Sequence, residues 1–95
     1  MSEYVRVVKP LLKWMNAHKG CKAINIHGSK YSENGTPDIF AVWKGTPLVI
    51  ECKVNSGTTT PIQKHRLKEW SETGTLAFVF NDFQTAKEVL TTTFL

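Results

Sequence analysis

Residues 35–54, GTPDIFAVWKGTPLVIECKV, constrain this chain more than any other stretch. Two runs rich in β-branched and aromatic residues flank a short turn, so the stretch reads as a β-hairpin. Leu48, Val49 and Ile50 form a continuous apolar run, the pattern of a strand covered on both faces. Asp38, Glu51 and Lys53 break that pattern at one end of the hairpin. Three charges beside a core need a reason.

Register decides whether those charges meet. The turn is either Gly45-Thr46 or the longer Lys44 to Pro47. The longer loop is favoured because Pro47 has no N–H with which to close a two-residue turn. Either way Trp43 is expected opposite Leu48, Phe40 opposite Glu51, and Asp38 opposite Lys53. Directly opposed residues share a face. Asp38, Glu51 and Lys53 therefore share one face and one end, and Cys52 points the other way. Two converging carboxylates beside a cation suit Mg²⁺ or Mn²⁺, with the backbone carbonyl of Cys52 as a further oxygen. Lys53 keeps its proton among carboxylates. It would orient a water and stabilise charge in a phosphoryl transition state; general base is the alternative role. The competing structural reading is a surface cross-strand salt bridge, worth about 1 kcal/mol or less.

The rest of the chain supplies a frame. Ser2 to Lys19 has helical periodicity on Tyr4, Val8, Leu11 and Met15, with Gly20 as its stop. Pro10 implies a kink or the start of regular helix. Residues 21–27 read as a strand, 28–37 as a loop, 61–73 as a helix, 76–80 as a buried strand and 83–92 as a final helix. The order α-β-β-β-α-β-α implies an α/β fold with a mixed central sheet flanked by helices. Ninety-five residues form one domain, 1–95. A net charge of +4 leans toward a polyanionic partner. Cys21 and Cys52 lack paired-ligand spacing, so no zinc site is suggested. No signal peptide and no membrane-length apolar run is present, so a cytoplasmic chain with no membrane partner is expected.

Gly35-Thr36-Pro37-Asp38, then Ile50-Glu51-Cys52-Lys53, then a helix carrying Gln63, resemble the VRR-NUC family of the PD-(D/E)XK nuclease superfamily. The resemblance covers about residues 20–82. It implies a restriction-endonuclease-like α-β-β-β-α-β core and a metal-dependent, structure-selective DNA endonuclease using Mg²⁺ or Mn²⁺. Small stand-alone members, of bacterial or phage type, look like homodimeric resolvases of four-way (Holliday) junctions. By that resemblance Asp38 and Glu51 would hold the metal with the Cys52 carbonyl, Lys53 would hold the attacking water, and Gln63 would support the site. The products would be a 5′-phosphate and a 3′-hydroxyl. Rival readings are a nuclease for flaps, mismatches or plain duplex, and a non-catalytic DNA-binding module on the same fold.

Two residues have a plain structural alternative. By the same resemblance, which implies a Glu on the first helix, Glu3 would join the metal; the alternative is a first-turn residue favoured by the helix dipole. Gln63 equally completes a capping box, Thr60-Pro61-Ile62-Gln63. For DNA, Ser29, Lys30 and Tyr31 of the loop, and Lys64 and Lys68 four apart on the helix, are candidate phosphate contacts. His27 and His65 are further candidates. Such contacts carry no sequence code and make binding strongly salt-dependent.

Overall fold

The computed structural model describes residues 2–28, 32–54 and 57–95. The chain opens with a π-helical turn, Tyr4–Val8, that runs into α1 (Lys9–Asn16). Pro10 lies in the first turn of α1, directly after the π-helical turn. Regular helix therefore starts there, as expected. The preceding turn closes from the Lys9 N–H to the Tyr4 carbonyl, five residues apart. The wider turn rotates the side chains relative to an α-helical stripe. Val7 and Val8 are buried with Leu11 and Met15, whereas Tyr4, expected on that stripe, is exposed.

The remaining elements are β1 (Cys21–Asn25), β2 (Ile39–Trp43), β3 (Thr46–Cys52), α2 (Pro61–Ser71), β4 (Leu76–Phe80) and α3 (Phe83–Phe94). The sheet runs β1-β2-β3-β4, antiparallel except for the parallel β3–β4 pair. Parallel neighbours need a crossover, and α2 provides it. The order and the mixed sheet are those expected.

The hairpin register differs from the expectation. The turn is Lys44-Gly45, not the longer loop. Both residues have positive φ, 50° and 83°, as a two-residue type I′ turn requires. Trp43 therefore pairs with Thr46 rather than Leu48, and Phe40 with Val49 rather than Glu51. Pro47 is tolerated because it lies one step past the closing pair, opposite Val42, where its ring nitrogen points away from β2. The error is two residues, and side chains alternate with period two, so every residue keeps its face. Continued one step beyond Ile39–Ile50, the register sets Asp38 across from Glu51 rather than Lys53.

One face of the sheet carries the core. Ile39, Ala41, Trp43, Leu48, Ile50 and Cys52 pack with Leu11 and Met15 of α1 and with Ala86 and Leu90 of α3. Trp43 stacks on Phe94 at 4.8 Å and meets Trp14 edge-on at 5.7 Å. Ile50→Val removes one fully buried methylene from this layer. It is expected to cost about 0.5–1.5 kcal/mol, read as a lower urea midpoint at unchanged slope.

The other face receives α2, with Trp70 5.7 Å from Phe40 between ring centres. Its cover is thin. The strand at 76–80, expected to be buried, is a sheet edge: Leu76 and Val79 are exposed and Phe80 alone is buried. Its apolar run mimics a central strand, but it has a neighbour on one side only.

Candidate active site

Antiparallel pairing brings the start of β2 beside the end of β3, and the charged residues occupy that junction. Asp38 immediately precedes β2, Glu51 is the penultimate residue of β3, and Lys53 follows it. Asp38 and Glu51 are buried, at 5% and 2% exposure. Burial at this level separates the arrangement from an exposed cross-strand ion pair. The Asp38 Oδ2 accepts a hydrogen bond from the Cys52 N–H at 2.7 Å, which fixes the carboxylate over the strand end. The Cys52 side chain lies in the core on the opposite face, so this residue serves the site through its backbone. Lys53 Nζ is 4.0 Å from Glu51 Oε2. Glu3, just before the π-helical turn, brings in a third carboxylate. Glu3, Asp38 and Glu51 each offer an oxygen within 4.8 Å of the others.

Crowded carboxylates resist ionisation. The Glu51 carboxyl is pushed up to about 9, first by burial, then by a hydrogen bond to Asp38 and the Asp38 charge; Lys53 opposes the shift and Glu3 adds to it. Glu3 is raised by burial and then by Asp38. Glu51 Oε1 is buried and has no hydrogen-bond partner among the described residues. An orphaned carboxylate oxygen in an all-oxygen cluster is the donor set of a hard divalent cation such as Mg²⁺ or Mn²⁺. The residues present fit that ion.

A pH dependence follows. Between the ordinary value of 4.5 and about 9, native Glu51 holds a proton that the unfolded chain has released. Stability of the metal-free protein should therefore fall as pH rises through that window and recover as pH is lowered. Thermal unfolding in EDTA from pH 9 to pH 5 should show an increasing Tm. Saturating Mn²⁺ should remove or invert that slope.

The glycine of the Gly35-Thr36-Pro37-Asp38 run has a specific reason. Gly35 has φ +80°, and a Cβ there would sit 2.9 Å from the backbone carbon and oxygen of Ile62. The loop ahead of Asp38 thus lies directly on the first turn of α2. Gly35→Ala is expected to cost about 1–3 kcal/mol in a urea titration, because both the backbone conformation and the contact are disturbed.

Gln63 caps its own helix. Its Oε1 accepts from the Thr60 N–H at 2.9 Å, and Thr60 Oγ1 accepts from the Gln63 N–H at 3.3 Å. The capping role anticipated for it is formed, and its carbonyl oxygen is committed there. Lys64 and Lys68 are exposed on α2. Ser29, Lys30 and Tyr31 lie outside the described residues. His65 faces Glu69 at 3.6 Å.

The site also holds a residue that the sequence marked only as a phosphate contact. His27 Nδ1 lies 3.3 Å from the Thr36 carbonyl oxygen and 3.8 Å from Asp38 Oδ1. The β1–β2 pairing explains this, since Ile26 bonds to the Asp38 carbonyl at 2.8 Å and His27 is next in line. Arg66 stands in the sequence only as one of the basic residues of α2. It joins α2 to the loop that leads into Asp38, by a 3.0 Å bond to the Asn34 carbonyl. No sequence spacing signals a contact between those two segments.

Comparison with known proteins bears on the family and the fold. The family model of the archaeal Holliday junction resolvase (Hjc) matches residues 7–76. A solved structure described as a VRR_NUC domain superposes with a TM-score of 0.77 at 20% identity, over 95% of this chain and 96% of that one. The structure of Archaeoglobus fulgidus Hjc, a Holliday junction resolvase from an archaeal hyperthermophile, superposes with a TM-score of 0.58 at 27% identity. That match covers 77% of this chain and 63% of the other, so this chain spans less than two thirds of its length. No curated protein matches significantly. The restriction-endonuclease-like architecture expected from the sequence is the fold that these structures share. Among the described residues no helix is long and apolar enough to cross a membrane.

Proposed function

This chain belongs to the archaeal Holliday junction resolvase family, and from that premise we propose that it is a homodimeric, divalent-metal-dependent endonuclease that cuts four-way DNA junctions. One observation carries the reading: three carboxylates, Glu3, Asp38 and Glu51, converge within 4.8 Å in a partly buried site beside Lys53.

Asp38, Glu51 and Glu3 would hold Mg²⁺ or Mn²⁺, with the Cys52 carbonyl as a further oxygen. The bound ion would lower the pKa of a water and neutralise charge on the scissile phosphate. The protein side chains do the rest. Asp38, fixed by the Cys52 N–H, sets the ligand position. Lys53 Nζ orients the attacking water and donates to the negative charge that builds on the phosphorus oxygens. The P–O3′ bond breaks as the new P–O bond forms, leaving a 5′-phosphate and a 3′-hydroxyl. Gln63 secures the start of α2 next to the site. Exposed Lys64 and Lys68, with Ser29, Lys30 and Tyr31 of the loop, track the phosphate backbone without reading bases.

A four-way junction is symmetric, and cutting two strands requires two sites, which a two-fold dimer supplies. The surface supports such pairing: α2 buries none of its residues, and Ile24, Val42, Ile62 and Val79 are exposed. Two free thiols fit a reducing cytoplasm.

The test compares labelled four-way junction with sequence-matched linear duplex, each in Mg²⁺, Mn²⁺ and EDTA, alongside sedimentation of the protein. Paired nicks on the junction by a dimer are expected. Equal cutting of both DNAs would leave a general nuclease and remove the junction assignment; preference for flaps or mismatches would move it.

A further inference from the structure

We propose that Arg66 is a positioning residue: it fastens the loop at 32–37 to α2 and so sets where Asp38 sits relative to Glu51. The role rests on the nuclease reading above. α2 carries no fully buried residue, and the Arg66 side chain is 18% exposed, half-buried with Gln63, Leu67 and Trp70. Its guanidinium makes three contacts in three directions. Nε donates to the Asn34 carbonyl at 3.0 Å, Nη2 meets Glu33 Oε2 at 3.5 Å, and Nη1 donates to Glu69 Oε1 at 2.8 Å. Only the planar fork of arginine reaches all three at once; a lysine ammonium is a single point charge.

The segment so held is also bonded within itself. The Thr36 N–H donates to the Glu33 carbonyl at 3.1 Å, and the Thr36 hydroxyl donates to the same oxygen. Gly35 rests against the Ile62 backbone, so the loop is pinned to α2 at two places. Pro37, buried and fixed in φ, is the one residue between this unit and Asp38. A shift of the loop therefore passes directly to the carboxylate. The pairing of Arg66 with two carboxylates also argues against a direct phosphate contact, since its charge is already compensated.

Arg66→Lys, Arg66→Ala and Glu33→Gln test this with three readouts. Single-turnover cleavage of the junction at saturating protein in Mn²⁺ reads the chemical step. Junction affinity in EDTA across a salt series reads phosphate contacts. Amide exchange at residues 34–38 reads the loop without reference to activity. Both Arg66 variants should slow cleavage by about tenfold to a hundredfold, the scale of a small misplacement of a reacting group. Affinity and its salt slope should stay unchanged and exchange should accelerate. Glu33→Gln should act in the same direction, less strongly and non-additively with Arg66→Ala.

Weaker binding with a shallower salt slope and an unchanged saturated rate would instead make Arg66 a phosphate contact. A full rate for Arg66→Lys would overturn the need for the fork. If the wild-type protein cuts in no metal, the nuclease reading fails on its own. The exchange measurement then still decides whether Arg66 fastens the loop, and unchanged exchange would overturn it.

Discussion

Glu51→Gln should abolish cleavage and, in EDTA, raise the melting temperature. The two effects have one cause. Glu51 is 2% exposed, with an oxygen that has no hydrogen-bond partner among the described residues. Its carboxyl is pushed up to about 9, so folding burdens it with a proton it would otherwise lose. A neutral amide of the same shape relieves the crowding with Asp38 and Glu3. It also withdraws a charged oxygen from the cation that the cluster fits. Losing a metal ligand should cost several kcal/mol of transition-state stabilisation, at least about a thousandfold in rate. Gel assays, calorimetry with Mn²⁺ and thermal unfolding check the three parts. A lower melting temperature in EDTA would make Glu51 a structural carboxylate, and near-normal cleavage would remove it from the site.

Lys53→Ala should separate binding from chemistry. Lys53 Nζ lies 4.0 Å from Glu51 Oε2, and the hydrogen bond that fixes Asp38 comes from the Cys52 N–H instead. All three carboxylates that would hold the ion remain in the variant, and Mn²⁺ binding should persist in calorimetry. Cleavage should fall by about a hundredfold to a thousandfold, the scale of removing one preorganised donor to a developing negative charge. A variant that loses Mn²⁺ binding and cleavage together would assign Lys53 to organising the carboxylates. A variant that keeps both would leave it a partner for Glu51 and nothing more.

The hairpin shows what a sequence carries and what it does not. That Asp38, Glu51 and Lys53 share a face was legible, because strand alternation has period two and survives a two-residue slip. The slip has a local cause. Pro47 cannot close a turn, but the turn closes one residue earlier, at Thr46, and runs through Lys44, a non-glycine residue with positive φ. Nothing in its identity announces that conformation. LAFVF is apolar enough for a central strand, and only topology leaves it at an edge. Tyr4 leaves the buried stripe because the first turn is π-helical, and periodicity arguments assume 3.6 residues. The Gln63 capping box was legible because both partners lie within four residues. Glu3 was legible only through the family resemblance, and Arg66 reaches the loop from a distant segment, where local patterns are silent.

The most direct test of the account is one gel: labelled four-way junction with wild-type protein in Mn²⁺, in Mg²⁺ and in EDTA, beside Lys53→Ala in Mn²⁺. Nicks leaving 5′-phosphate ends in either metal, absent in EDTA and strongly reduced in the variant, are expected of a carboxylate–lysine metal centre. Cleavage that persists in EDTA, or is equal in the variant, would contradict it and leave the cluster of Glu3, Asp38 and Glu51 without a catalytic role.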